Sequence, residues 1–209
     1  MDAVGQPRIR SGYLFWKRAM DLLGALIALA VLWLPMLICF LLVRMTSPGA
    51  AIFRQERVGR DGRLFVCYKF RTMRRDAPSH RPAAEFSDRE RYLTPVGSFL
   101  RRTSLDELPQ LWNILKGEMS FVGPRPLIPQ EREVHRLRHL SGADRLRPGL
   151  TGLAQVRGRT LLSDPQKAAL DARYTQTVSL RQDLRILGKT LLSILFSAET
   201  AAVQPKKLS

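Results

Sequence analysis

The residues with the most chemical potential stand in the run Leu100-Arg101-Arg102-Thr103-Ser104-Leu105-Asp106-Glu107-Leu108-Pro109-Gln110-Leu111-Trp112-Asn113, where two consecutive carboxylates follow two arginines. An ionised Asp is a competent nucleophile toward phosphorus. A neighbouring Glu offers hard oxygen ligands to Mg²⁺, which usually needs only one or two carboxylates when substrate phosphates complete its shell. The same residues also read as a helix start. Ser104 and Glu107 have the Ser-x-x-Glu spacing of a capping box. Pro109 weakens that version and favours a start at Leu105 or Asp106, which keeps the proline in the first turn and makes Asp106 itself a candidate N-cap. The readings are compatible, because the backbone N–H groups and positive dipole at a helix start hold a carboxylate ionised and attract phosphate.

A second constellation is Ser120-Phe121-Val122-Gly123-Pro124-Arg125-Pro126. Prolines on both sides of Arg125 restrict its backbone, which suits a preorganised guanidinium fork for phosphate oxygens and equally suits a rigid loop with a surface arginine. Other chemistries are excluded. No Gly-rich loop ends in Gly-Lys-Ser/Thr, and Gly59 and Gly62 belong to a hairpin. No cysteine pair has zinc spacing. His135 and His139 are four apart, but Arg132, Arg136 and Arg138 surround them and repel a cation, so they read as a solvated helix face.

These groups need elements to hold them. Between Leu22 and Val43 there are 22 residues without a charge, enough at roughly 1.5 Å per residue to cross a bilayer core. Pro35 inside that run predicts a bend. Arg8, Arg10, Lys17 and Arg18 before it and Arg44, Arg54, Arg57 and Arg60 after it place both ends on the cytoplasmic side by the positive-inside rule. Length alone favours a kinked spanning helix; the flanks favour a segment that turns at Pro35 and returns. Ser47-Pro48-Gly49 ends it. Ala51 to Arg57 and Leu64 to Phe70 read as strands joined at Asp61-Gly62, and Arg74 to Pro95 as a surface loop. Helical periodicity follows from Asp106 toward Lys116, from Pro129 to Leu140, from Pro165 to Val178 and from Leu180 to Phe196. In the last, Leu184, Leu187, Leu191 and Leu195 form a stripe that fits either a core or the lipid headgroup layer. The fold class expected is mainly α with a small β-hairpin.

Lys and Arg number 34 against 18 Asp and Glu, a formal net charge of +16, which points to polyanionic partners: nucleic acid, anionic lipid or phosphorylated substrate. No nucleic-acid-binding motif appears, so a membrane-tethered nucleic-acid binder rests on charge alone. A non-catalytic membrane assembly subunit is the other competitor. Cys39, in the apolar run, and Cys67, in a strand, are not placed to pair, which fits a reducing compartment.

The runs Lys69-Phe70-Arg71-Thr72-Met73, Arg101 to Leu111, Asn113 to Pro126, and Gly152 to Arg159 with Ala154-Gln155-Val156 resemble the bacterial sugar transferase family, the monotopic phosphoglycosyl transferases, over about Lys17 to Leu195. The resemblance implies transfer of a sugar phosphate from a UDP-sugar to polyprenyl phosphate at the inner membrane, with the catalytic domain on the cytoplasmic face and anionic phospholipid around it, at the start of glycoconjugate or exopolysaccharide synthesis. Asp106 is the implied nucleophile expelling UMP, Glu107 the implied Mg²⁺ ligand, and Lys69, Arg101, Arg125, Gln155 and Arg159 the implied substrate contacts. It also implies a re-entrant helix broken at Pro35 and interfacial amphipathic helices. The division is then a basic tail over 1–13, the re-entrant segment over 14–48, the catalytic domain over 49–200 and a tail over 201–209, similar to the family's minimal catalytic unit. Two departures stand out. Leu34 precedes Pro35 where family members often have Ser, and Ser47-Pro48-Gly49-Ala50 lacks a second proline.

Overall fold

A computed structural model describes residues 11–78, 87–158 and 162–203. Helix α1, Ser11–Thr46, carries Pro35 in its interior. The proline removes one backbone donor, yet helical structure continues through it, so the expected bend does not end the helix. Lys17, Asp21, Ala25, Cys39 and Val43 are buried, with Ala28, Leu29 and Met36 packed against the core between them. These steps of three and four residues are one helix face, and the face runs across Pro35. The opposite side is apolar as well, with Trp16, Leu23, Ile27, Val31, Leu34 and Leu41 exposed. One side of an all-round apolar helix therefore lies on protein while the other has no protein cover.

Strands β1 (Ile52–Val58) and β2 (Leu64–Phe70) pair antiparallel, Ile52 opposite Phe70 and Val58 opposite Leu64. Asp61 and Gly62 turn the chain with φ of 55° and 75°, the left-handed geometry a tight hairpin needs. On β2, Phe65 and Cys67 point into the core beside Leu111, Ile114 and Met119, and the two-residue period brings Lys69 onto the same face. Helix α2 (Pro95–Arg102) starts at the end of what the sequence reads as loop: Thr94 accepts a bond from Gly97 N at 2.9 Å. A Cβ on Gly97 would stand 1.9 Å from the Thr72 carbonyl oxygen. Only glycine lets α2 approach there, and that approach sets Arg101 beside Thr72.

Helix α3 (Gln110–Lys116) is shorter than the periodicity predicts, because Pro109 occupies the position before it. Asn113, fully buried, ties α3 to β2. Its Oδ1 accepts from Tyr68 N at 3.1 Å and its Nδ2 donates to Val66 O and Glu118 Oε2, both at 2.7 Å. One side chain thus pairs with the strand as a further strand would.

Beyond α3 lies a second sheet that the sequence reading lacks, a parallel pair of β3 (Ser120–Val122) and β4 (Gly149–Thr151). Helices α4 (Arg132–Ser141), α5 (Leu153–Arg157), α6 (Asp164–Thr177) and α7 (Leu180–Val203) complete the domain. On α7, Ile186 is buried and Leu187 packs against it, whereas Leu184 and Leu191 are exposed. The core reading of that stripe fails for those two leucines. Cys39 and Cys67 are buried free thiols.

Replacing Asn113 by Ala leaves Tyr68 N, the Val66 carbonyl and Glu118 short of partners in a buried place. The expected loss is roughly 3 kcal/mol, read as a lower denaturation midpoint with unchanged slope; a midpoint within error of the parent's removes this role.

Candidate active site

Asp106 lies in a 3-10 turn, Leu105–Glu107, that follows Ser104 in the left-handed region at φ 58°. For a residue other than Gly that conformation costs on the order of 1 kcal/mol. No capping box forms. Ser104 makes no side-chain cap bond, and only its carbonyl accepts, from Glu107 N at 3.2 Å. Asp106 is also not at the start of α3, which opens four residues later at Gln110. The helix-dipole account of its charge is therefore replaced by side chains.

Those side chains converge from three elements. Lys69 Nζ, at the end of β2, donates to Glu107 Oε1 at 2.6 Å, and Arg125 Nη2 stands 3.7 Å from the same oxygen. Arg101, on α2, donates through Nε to Thr72 Oγ1 at 3.0 Å. The Asp106 carboxylate accepts no hydrogen bond from a described residue. It is buried, and burial pushes its pKa up to about 6; Glu107 adds to the rise, while Lys69, Arg101 and Arg125 pull it down. The result is a carboxylate short of solvation and hydrogen bonds, surrounded by cations whose combined charge exceeds that of the dyad.

The loop carrying Arg125 is fixed by its backbone. Three consecutive carbonyls are bonded: Pro124 O by Gly149 N at 2.8 Å, Arg125 O by Arg138 Nη1 at 2.9 Å and Pro126 O by Arg57 Nη1 at 3.2 Å. Gly123 N donates to Thr151 O at 2.9 Å. Gly123, Gly149 and Gly152 interlock so closely that a Cβ on any of them would come within 2.3 Å of backbone. Arg138, one of the arginines that the sequence places around His135 and His139, is buried and paired with Asp171 Oδ2 through Nη2 at 2.6 Å and Nε at 2.8 Å. Its spacing of four from the buried Val134 is the signal that finds it. His139 does lie on the exposed side, beside Asp144.

Lys69, Arg101, Arg125, Asp106 and Glu107 are thus brought together. Gln155, on α5, donates through Nε2 to Leu150 O at 3.1 Å, and its Oε1 is buried without a partner next to Gly152, behind the Arg125 loop. Arg159 lies outside the described residues. Thr72, Arg57 and Asn113 are the residues the sequence reading does not single out. Thr72 could have been drawn from its place in the Lys69–Met73 run, whereas Arg57 and Asn113 carry no local signal. As for Mg²⁺, no group of three His, Cys, Asp or Glu gathers among the described residues. The two consecutive carboxylates, Asp106's without a hydrogen bond from a described residue, fit an ion that takes its remaining ligands from phosphate and water.

A family model described as bacterial sugar transferase matches residues 12–197. The chain is 42% identical over 196 residues to a UDP-galactose-lipid carrier transferase of Erwinia amylovora, covering 85% of this chain and 40% of that protein. It is 40% identical over 199 residues to exopolysaccharide production protein ExoY of Sinorhizobium fredii, covering 87% and 86%. It is also 40% identical over 200 residues to a UDP-glucose:undecaprenyl-phosphate glucose-1-phosphate transferase of Caulobacter vibrioides, covering 91% and 74%. The chain spans less than half of the Erwinia protein and most of the other two.

The elevated pKa of Asp106 has a sign that stability measurements read. Because the folded value, about 6, lies above the ordinary 3.8, the buried charge destabilises the fold above about pH 6, and that penalty is gone below about pH 4. In buffer with chelator and without nucleotide, Asp106→Asn is expected to stabilise the protein by about 2 kcal/mol near pH 8 and by almost nothing near pH 4. Equal midpoints for mutant and parent at both pH values contradict the burial cost.

Proposed function

We propose, since this chain belongs to the bacterial sugar transferase family, that it moves a sugar phosphate from a UDP-sugar to polyprenyl phosphate in two displacements at Asp106. The observation that carries this reading is the buried Asp106 carboxylate, which accepts no hydrogen bond from a described residue, beside Lys69, Arg101 and Arg125. A carboxylate oxygen of Asp106 attacks the sugar-bearing phosphorus, the bridging P–O bond breaks, and UMP leaves. An oxygen of polyprenyl phosphate then attacks that phosphorus, frees the carboxylate and yields polyprenyl diphosphate sugar. Lys69, Arg101 and Arg125 offset the phosphate charge in both displacements, and their placement on a strand, a helix and a braced loop lowers the reorganisation required. Glu107 would hold Mg²⁺, which when bound supplies charge neutralisation to the diphosphate. Gln155 is proposed to act from behind the Arg125 loop, and Arg159 is proposed as a further substrate contact. The relatives' names mention both galactose and glucose, so the likeness supports the reaction class ahead of a particular sugar.

The reading includes a bilayer around the outer face of α1. Tyr13 and Lys17 bond Asp183 of α7 near one end of that helix, and Val43 packs with Phe70 and Leu100 near the other. A spanning helix must leave its soluble domain at one end, whereas this helix meets the same domain at both. That supports a re-entrant segment that keeps the amino-terminal side of α1 and the catalytic domain together on the cytoplasmic face, where nucleotide sugars are made. The exposed Leu184 and Leu191 of α7 suit the same interface.

Two measurements test these statements. With UDP-sugar and Mg²⁺ but no lipid acceptor, the enzyme is expected to release about one equivalent of UMP and gain the mass of a sugar phosphate, and Asp106→Asn to do neither. Absence of the adduct, with kinetics requiring both substrates bound together, rejects the covalent route. For topology, a cysteine at Ser11 in a background lacking Cys39 and Cys67 is expected to resist a membrane-impermeant reagent until cells are lysed. Ready labelling of intact cells means that α1 spans.

A further inference from the structure

Arg71, in the Lys69–Met73 run, has no part in the site described above, and its surroundings call for an anion. Its Nη2 donates to Ser47 O at 2.8 Å in the loop that ends α1, while its Nε is buried with no partner. Two more guanidiniums meet it there. A Cβ on Gly49 would lie 2.7 Å from Arg71 Nη1 and 3.7 Å from Arg75 Nε, and Arg44 Nη1 makes a 3.4 Å bond to the Gly49 carbonyl. Gly49 itself is at φ 104°, so the point on which the three converge has no side chain. Arg44 and Arg75 both oppose the charge on Arg71, after the cost of its burial. Among the described residues no carboxylate pairs with any of the three.

Three like charges around a bare glycine, with an unused buried donor, suit a multiply charged oxyanion, and guanidiniums bind phosphate through paired N–H groups. The position narrows the source. The apolar outer face of α1 ends here, with Leu41, Leu42 and Met45 exposed, so an acyl or prenyl chain lying along that face carries its head group to this end. Arg71 is also two residues past Lys69, and Thr72 between them and α2 holds Arg101. We propose that Arg44, Arg71 and Arg75 form a lipid-phosphate site at the carboxyl end of α1. Its occupant is the phosphate of the polyprenyl acceptor waiting beside the dyad, or that of an anionic phospholipid. The first alternative rests on the transferase reading above; the site itself rests on α1 lying in lipid.

The experiment uses the full chain in detergent without UDP-sugar, so no turnover occurs. Farnesyl phosphate and dihexanoyl phosphatidylglycerol are titrated by calorimetry against protein and against empty micelles. Saturable binding of at least one is expected, weakened about tenfold or more in Arg44→Gln/Arg75→Gln. Among the described residues those two side chains make only the long bond from Arg44 to Gly49, so the variant is expected to keep the parent melting temperature. Farnesyl phosphate that phosphatidylglycerol does not displace identifies the acceptor; displacement identifies a general head-group site; either result sustains the proposal. Undiminished affinity in the double variant, or no saturable binding of either lipid to the parent, overturns it. Since no sugar nucleotide is present, failure of the transferase reading leaves the result interpretable.

Discussion

Holding two carboxylates on consecutive residues, one of them buried, is the constraint from which the rest of the catalytic domain follows. Mutual repulsion and lost hydration both oppose it. The Lys69 bridge to Glu107 is the direct remedy, and it exists because β2 delivers Lys69 on the face that also buries Phe65 and Cys67. That delivery depends in turn on Asn113, whose amide fixes α3 against the strand. The dyad, its cation and its scaffold are therefore one cooperative unit, and the left-handed Ser104 ahead of it indicates that the backbone is held by its neighbours against its own preference.

Arg125 reaches the same place by a different route. It belongs to a loop with little regular structure of its own, and its precision comes from three bonded carbonyls and three interlocked glycines. The buried Arg138–Asp171 pair acts through that loop, since one of its donors ends on the Arg125 carbonyl. A buried ion pair contributes little net stability as a rule, so its value here lies in fixing the direction of a neighbouring cation.

What was legible in the sequence was whatever repeats locally. The apolar run, the hairpin at Asp61-Gly62 and the helices after Pro129 follow from period and turn chemistry, and their observed bounds differ by a few residues. The dyad and Arg125 were legible as unusual residue combinations. The β3–β4 pairing was not, because it joins two three-residue segments across a long separation, and neither has enough alternation to signal a strand. The capping-box reading of Ser104 failed for a steric reason: Pro109 delays the helix, and a 3-10 turn fills the gap. Arg138 is buried where its charge alone suggests solvent, and its helical phase with the buried Val134 is the better guide.

The contact between Lys17 and Asp183 joins residues 166 apart in the chain, and it has a consequence for biosynthesis. Asp183 also receives the hydroxyls of Tyr13 and Tyr174, so one carboxylate of α7 completes polar partners on α1 and α6, which are both made before it. Until α7 has left the ribosome, the buried ammonium of α1 lacks its native counter-ion. The apolar helix is therefore complete while its docking face is still unpaired, and the rest of the nascent chain closes onto it only afterwards. Long-range closure of this kind is slow compared with local helix formation, so α1 forms first and the finished domain then locks its polar end in place.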